Sequence, residues 1–199
     1  MADFFEVVQR QRACRAFADE PVPDEMVEQV LQAATFAPSA ENCQPWVFVV
    51  VRDGSCRARI GGLARQAWEG GARRHSEGRL APGLLADVDR GAMGGLASAP
   101  VIVVVGADLR LVHERAVEAS IFPAVQNLLL AATALGLGSA LMTLPLVLDG
   151  ELSALLALPH EVRPIAVVPI GRPARAMGPP RRQAVAGKAH RERFGTAWR

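Results

Sequence analysis

The chain has 199 residues, half of them hydrophobic, with 22 basic against 20 acidic side chains and a formal net charge of +2. That length and apolar content suit one domain with a real core, and so balanced a charge provides no chain-wide field to draw in nucleic acid or an acidic membrane surface. Three cysteines, Cys14, Cys43 and Cys56, fit neither a zinc-ligand spacing nor a disulfide framework, so a reducing, cytoplasmic setting is expected, and the start Met1–Glu6 has neither the basic opening nor the apolar core of a signal peptide.

A short helix is expected over residues 3–10, leading into an arginine-rich turn, Arg10-Gln11-Arg12-Ala13-Cys14-Arg15-Ala16-Phe17. Pro21-Val22-Pro23-Asp24-Glu25 then introduces a helix that runs to Phe36, with Met26, Val27, Val30, Leu31 and Ala34 at amphipathic spacing. Pro23 is placed at the first helical position, where a missing N–H costs nothing. The loop Ala37-Pro38-Ser39-Ala40-Glu41-Asn42-Cys43-Gln44-Pro45 feeds the run Trp46–Val51, which is continuous rather than alternating and reads as a strand covered on both faces.

Residues 55–98, rich in Gly, Ala and Arg, carry the weakest pattern and are read as two helices around a loop at 70–82. Val101–Val105 is a second buried strand, closed by Gly106 and Asp108, and residues 113–135 form a long helix that stops at Gly136. The stretch Ala119–Leu148 has no formal charge, but Pro123, Gln126, Asn127, Gly136, Gly138 and Pro145 interrupt it. It reads as a core helix followed by a strand, because a membrane span needs about 20 apolar residues in one element. A third strand at Ser139–Thr143, a helix over Val147–Leu156 and a fourth strand at Ile165–Ile170 follow. Beyond Gly171 the chain is rich in Pro, Arg and Gly, as expected of a segment that wraps a surface. No linker or repeat divides residues 1–199.

Taken alone, Arg10, Arg12 and Arg15 make an ordinary solvated helix face, and Pro38-Ser39-Ala40-Glu41-Asn42 a plain helix-terminating loop. In order, the arginine turn, the helix introduced by Pro-Val-Pro and the spacing Pro-Ser-x-x-Asn-x-Gln-Pro-Trp before a strand resemble the opening of the FMN-dependent nitroreductase family. The resemblance covers nearly the whole chain and is strongest over 10–51 and 116–171. It implies an α+β fold with a central, mostly antiparallel mixed sheet flanked by helices. It also implies an intertwined homodimer with two FMN sites at the subunit interface, the tail 172–199 wrapping the partner.

The resemblance further implies roles for particular residues. Gln11, Arg12 and Ala13 approach the FMN phosphate and ribityl chain, and Arg15 sits beside the N1–C2=O edge, where a cation stabilises the reduced anion. Pro38, Ser39, Ala40 and Asn42 meet the polar edge of the ring. Leu141, Met142, Thr143 and Leu144 pass over it, with the Thr143 backbone N–H directed at N5, and Arg181 and Arg182 complete the phosphate site. The chain departs from the commonest pattern at Gln11 (often arginine), Ala13 (often serine) and Thr143 (often acidic).

The implied activity is a ping-pong reaction in which NADH or NADPH reduces FMN and a small electron-poor acceptor, nitroaromatic or quinone-like, is then reduced. Such chemistry needs no protein nucleophile and no metal. The sequence has no Gly-x-Ser-x-Gly elbow or phosphate loop, and His75, His113, His160 and His190 are scattered. Gly136-Leu137-Gly138-Ser139 follows a helix, whereas a dinucleotide fingerprint follows a strand. Two alternatives remain open at this stage: another reaction on the same fold (flavin fragmentation, reductive dehalogenation, ene reduction), or a flavin-binding or sensing protein without turnover.

Overall fold

The computed structural model describes residues 3–198; Met1 and Ala2, part of the start read above for a targeting signal, and Arg199, the end of the tail, lie outside the described residues. In chain order the elements are α1 (Phe4–Arg10), α2 (Asp24–Thr35), β1 (Trp46–Val51), α3 (Gly54–Ala67), α4 (Arg73–Ser76), α5 (Pro82–Arg90) and α6 (Leu96–Ser98). There follow β2 (Val101–Asp108), α7 (Val117–Ala134), β3 (Gly138–Ser139), α8 (Asp149–Leu155) and β4 (Val162–Gly171).

The four strands pair antiparallel in the order β1-β2-β4-β3. A single parallel bridge, Ala13 with Ser139, fastens the arginine turn to the β3 edge. The fold is thus the expected α+β arrangement.

All eight residues of β2 are buried, because alternate side chains serve two cores. Val101, Val103, Val105 and Ala107 face α2 and α7, while Ile102 and Val104 face α3 and α8. β4 repeats the pattern with Ala166, Val168 and Ile170 on the first side and Val167 on the second. A sheet sandwiched in this way needs continuous apolar runs, which is why both central strands read so clearly. α7 is a core helix, with Ile121, Ala124, Val125, Leu128 and Ala132 fully enclosed. It ends in a Schellman motif: Gly136, at φ 74°, donates to the Thr133 carbonyl at 3.1 Å, and Leu137 to that of Ala132 at 2.8 Å.

Several expectations need correction. Pro23 is the N-cap rather than the first helical residue, with an extended ψ of 147°. β1 is an edge strand, half-buried over its first four residues, not enclosed on both faces. β2 continues past Gly106 to Asp108, and β4 begins earlier, at Val162, because a bulge at Val105/Gly106 lets Pro164 sit opposite Gly106 without a ladder partner for its missing N–H.

β3 is only two residues long, not Ser139–Thr143. Its register with β4 is nevertheless kept, since Ser139 opposes Ile170 and Met142 opposes Val167. Of the two intervening pairs, Ala140 with Pro169 and Leu141 with Val168, the first contains a proline with no N–H to give, so the ladder breaks there. Residues 55–98 do form two helical stretches, but each is interrupted by a single π-turn, at Trp68–Ala72 and Gly91–Gly95, and the loop between them is confined to 77–81. The helix expected at Val147 begins as a 3-10 turn at Leu144. The first residues of the tail do not leave their own chain: Ala18 N–H donates to the Arg172 carbonyl at 2.9 Å and Ala174 N–H to that of Ala16 at 3.0 Å.

Candidate functional site

The arginine turn is irregular backbone, so its path has to be fixed by its neighbours. Cys14 N–H donates to the Ser139 carbonyl at 2.9 Å, and Arg12 Nη1 donates to the Gly178 carbonyl at 2.9 Å, closing the tail over the turn. Three glycines allow the close packing. A Cβ on Gly138 would lie 2.7 Å from Cys14 Sγ, one on Gly91 would lie 2.8 Å from Arg15 Cδ, and one on Gly95 would collide with the Arg15 backbone carbonyl. The π-turn that carries Gly91 and Gly95 is therefore the platform on which Arg15 rests.

A cavity of about 170 Å³ opens beside the turn, lined among others by Arg12, Arg15, Asp87, Arg90 and Arg175. A more open one of about 320 Å³ shares Arg12, Ala13, Arg15 and Asp87 and adds Gln11, Leu84, Leu141 and Arg182. Burial pushes the Arg15 guanidinium below its ordinary pKa, with Asp87 opposing the shift; arginine remains charged throughout. Asp87 is held below the usual carboxylate range, first by its hydrogen bond from Arg90 and then by the charges of Arg90, Arg175 and Arg15, against a smaller opposing effect of burial. Burial raises the Cys14 pKa, so this enclosed thiol is a packing group and not a nucleophile. Arg12 Nε is buried without a hydrogen-bond partner, a costly state unless something else accepts from it.

The structure brings together six residues singled out in the sequence: Gln11, Arg12, Ala13, Arg15, Leu141 and Arg182. Others lie apart from these two cavities. Arg181 is exposed, Met142 is buried against β4, Thr143 is exposed with its carbonyl closing the turn to Leu146, and Leu144 packs against the second core. Pro38, Ser39, Ala40 and Asn42 line neither cavity of their own chain. Their loop is tied instead to α7, through Ala40 N–H to Ser120 Oγ at 3.1 Å, and to itself, through Gln44 N–H to Ser39 Oγ at 3.0 Å.

That loop is strained. Glu41, Asn42 and Gln44 all have left-handed φ, of 53°, 55° and 47°, at a cost of roughly 1–2 kcal/mol per residue. Strain of this kind persists where the surroundings over-determine it, often at functional sites.

Among the cavity residues that escaped the sequence reading are Leu84, Asp87 and Arg90 on α5 and Arg175 in the tail. The available signals were Pro82 opening a helix and the Asp87/Arg90 spacing of three. They were faint because α5 is short and buries no residue fully, its apolar face Leu84, Leu85 and Val88 being that of any surface helix.

With this geometry described, comparison with known proteins places the chain. The family model for the nitroreductase family matches residues 8–172. The chain is 31% identical over 182 residues to a "Putative NADH dehydrogenase/NAD(P)H nitroreductase" of Methanothermobacter thermautotrophicus, covering 88% of this chain and 80% of that protein. It is 29% identical over 183 residues to iodotyrosine deiodinase 1 of Rattus norvegicus, covering 87% of this chain and 63% of the rat protein, so it spans less than two thirds of that relative's length. Among solved structures, oxidized iodotyrosine deiodinase bound to FMN and 3-iodo-L-tyrosine superimposes with a TM-score of 0.75 at 25% identity, over 98% of this chain and 100% of that one. The chain belongs to the nitroreductase family.

Proposed function

We propose that the protein is an FMN-dependent oxidoreductase that accepts reducing equivalents from NADH or NADPH and passes them to a small electron-poor acceptor, nitroaromatic- or quinone-like. The observation that carries this reading is the buried, unpartnered Nε of Arg12 among the guanidiniums of Arg15 and Arg182, beside a cavity walled by Leu84 and Leu141. A phosphate carries close to two negative charges and several acceptor oxygens, which is the group such a cluster lacks. Family membership and an FMN-bound relative of the same fold support the same group.

When bound, FMN supplies the two-electron chemistry. The chain supplies placement and charge. Arg12 and Arg182, with Gln11, would hold the phosphate; Arg15, fixed on Gly91 and Gly95, would meet the polar edge of the ring; Leu141 and Leu84 would form the apolar wall beside it. The strained loop at 38–44 is assigned to the site of a second subunit, since it lines no cavity with the arginine turn of its own chain, and the working unit is accordingly a homodimer.

Steady-state kinetics test the reading. Varying NADPH against a nitroaromatic or quinone acceptor should give parallel double-reciprocal lines; intersecting lines, or FMN-loaded protein with no turnover of either donor, contradict it. The 29% identity to a deiodinase favours a second reading, reductive dehalogenation at the same site. Iodide released from 3-iodotyrosine by the reduced protein selects that reaction.

A further inference from the structure

We propose that Arg90 and Arg175 form an anion-recognition pair at the mouth of the candidate site and select aromatic acceptors that carry a carboxylate. The proposal rests on the flavoenzyme reading above and names the substrate class for it. Around the two adjacent cavities, which share Arg12, Ala13, Arg15 and Asp87, five guanidiniums, those of Arg12, Arg15, Arg90, Arg175 and Arg182, accompany the single carboxylate of Asp87. A bound FMN phosphate neutralises close to two charges. Asp87 neutralises one more, and a positive excess remains.

The excess is not evenly spread. Arg182 lies with Gln11 in the larger cavity, the side assigned to the phosphate, whereas Arg90 and Arg175 line the smaller one; Arg12, Arg15 and Asp87 border both. Both reach for the same oxygen: Arg90 Nη2 is 2.9 Å from Asp87 Oδ1, and Arg175 Nη2 is 3.6 Å from it, too far for a hydrogen bond. Two forks that share one oxygen leave most of their donors unused. Their side chains are 54% and 73% exposed, so these contacts are weak and yield readily to a ligand.

The position of α5 suits this task. It buries no residue, and Leu84, one turn before Asp87, presents an apolar surface to the same cavity as Leu141. An acceptor whose ring lies between those two leucines can extend a carboxylate to Arg90 and Arg175. Asp87 then acts as a positioning residue that keeps the two guanidiniums together.

Binding of benzoate and of its neutral isostere benzamide to the FMN-loaded protein tests the proposal, read by perturbation of the flavin absorbance and by calorimetry. Benzoate is expected to bind more tightly by about tenfold or more, the worth of one charge-assisted hydrogen bond. The preference should shrink as salt rises from about 0.05 to 0.5 M, since the pair is exposed. It should also disappear in Arg90→Gln and Arg175→Gln, whose exposed positions leave folding intact. Benzoate that binds no tighter than benzamide overturns the proposal. So does a substitution that weakens NADP⁺ relative to NAD⁺ but leaves benzoate unchanged, because the pair would then read the phosphate of the electron donor. FMN occupancy is measured first, and a protein that holds no flavin fails the parent reading instead.

Discussion

Gly95 separates what local space permits from what it forbids. A methyl group there meets the Arg15 carbonyl oxygen, a backbone atom that no rotamer change can move aside. Gly95→Ala is expected to cost about 1–3 kcal/mol in urea unfolding, as overpacked sites do. It should also weaken FMN binding, because the platform under Arg15 must shift. Gly62 is the control: it lies inside α3 with open space around it, so Gly62→Ala should stabilise the protein by about 0.5–1 kcal/mol. A Gly95→Ala variant as stable as the parent contradicts the packing account. At this scale the sequence announces Arg12 and Arg15, whose types and spacing are chemical signals in themselves. It does not announce Gly91 and Gly95, because a close approach depends on two segments far apart in the chain.

Among the elements, legibility followed burial. β2 and β4 were evident because both faces are enclosed and both must be apolar, and α7 because its buried stripe is long. The short β3 was overread, since the proline that interrupts its ladder, Pro169, sits in a different strand. α5 was missed as a site element because polar contacts hold it, among them the hydrogen bond from Trp68 Nε1 to Asp89 at 2.7 Å and the ion pair of Asp87 with Arg175 at 3.6 Å.

That ionic attachment has a pH signature. Asp87 has a folded pKa below its ordinary value of 3.8, so it stabilises the folded protein above that value and the contribution is lost as pH falls through the lower folded value. The melting-temperature difference between parent and Asp87→Asn should therefore be constant above about pH 5 and close as the carboxylate protonates. It should also be small, corresponding to no more than about 1 kcal/mol, because the pairs are largely exposed. A difference that widens with acid contradicts the assignment.

On the scale of the whole molecule, one chain leaves large apolar side chains exposed. Phe36 and Val147 are 77% and 65% exposed, and the loop at 38–44 lies away from the arginine turn it is assigned to complete. Phe36, a large apolar side chain left exposed just ahead of this strained loop, indicates a contact surface. Sedimentation at micromolar concentration should accordingly give a two-chain species, and a monomer with full FMN affinity contradicts the shared site. A shared site of this kind would be built between chains, so the pattern within one chain carries it only as exposed apolar surface.

The central claim is that the guanidinium cluster around the unpartnered Arg12 Nε is a flavin phosphate site. Equilibrium titration of the flavin-stripped protein with FMN tests it most directly, with riboflavin, which lacks the phosphate, titrated alongside. One FMN bound per chain, with riboflavin bound far more weakly and Arg12→Gln removing most of that difference, is the result predicted. A protein that takes up no FMN, or binds the two flavins equally, contradicts it.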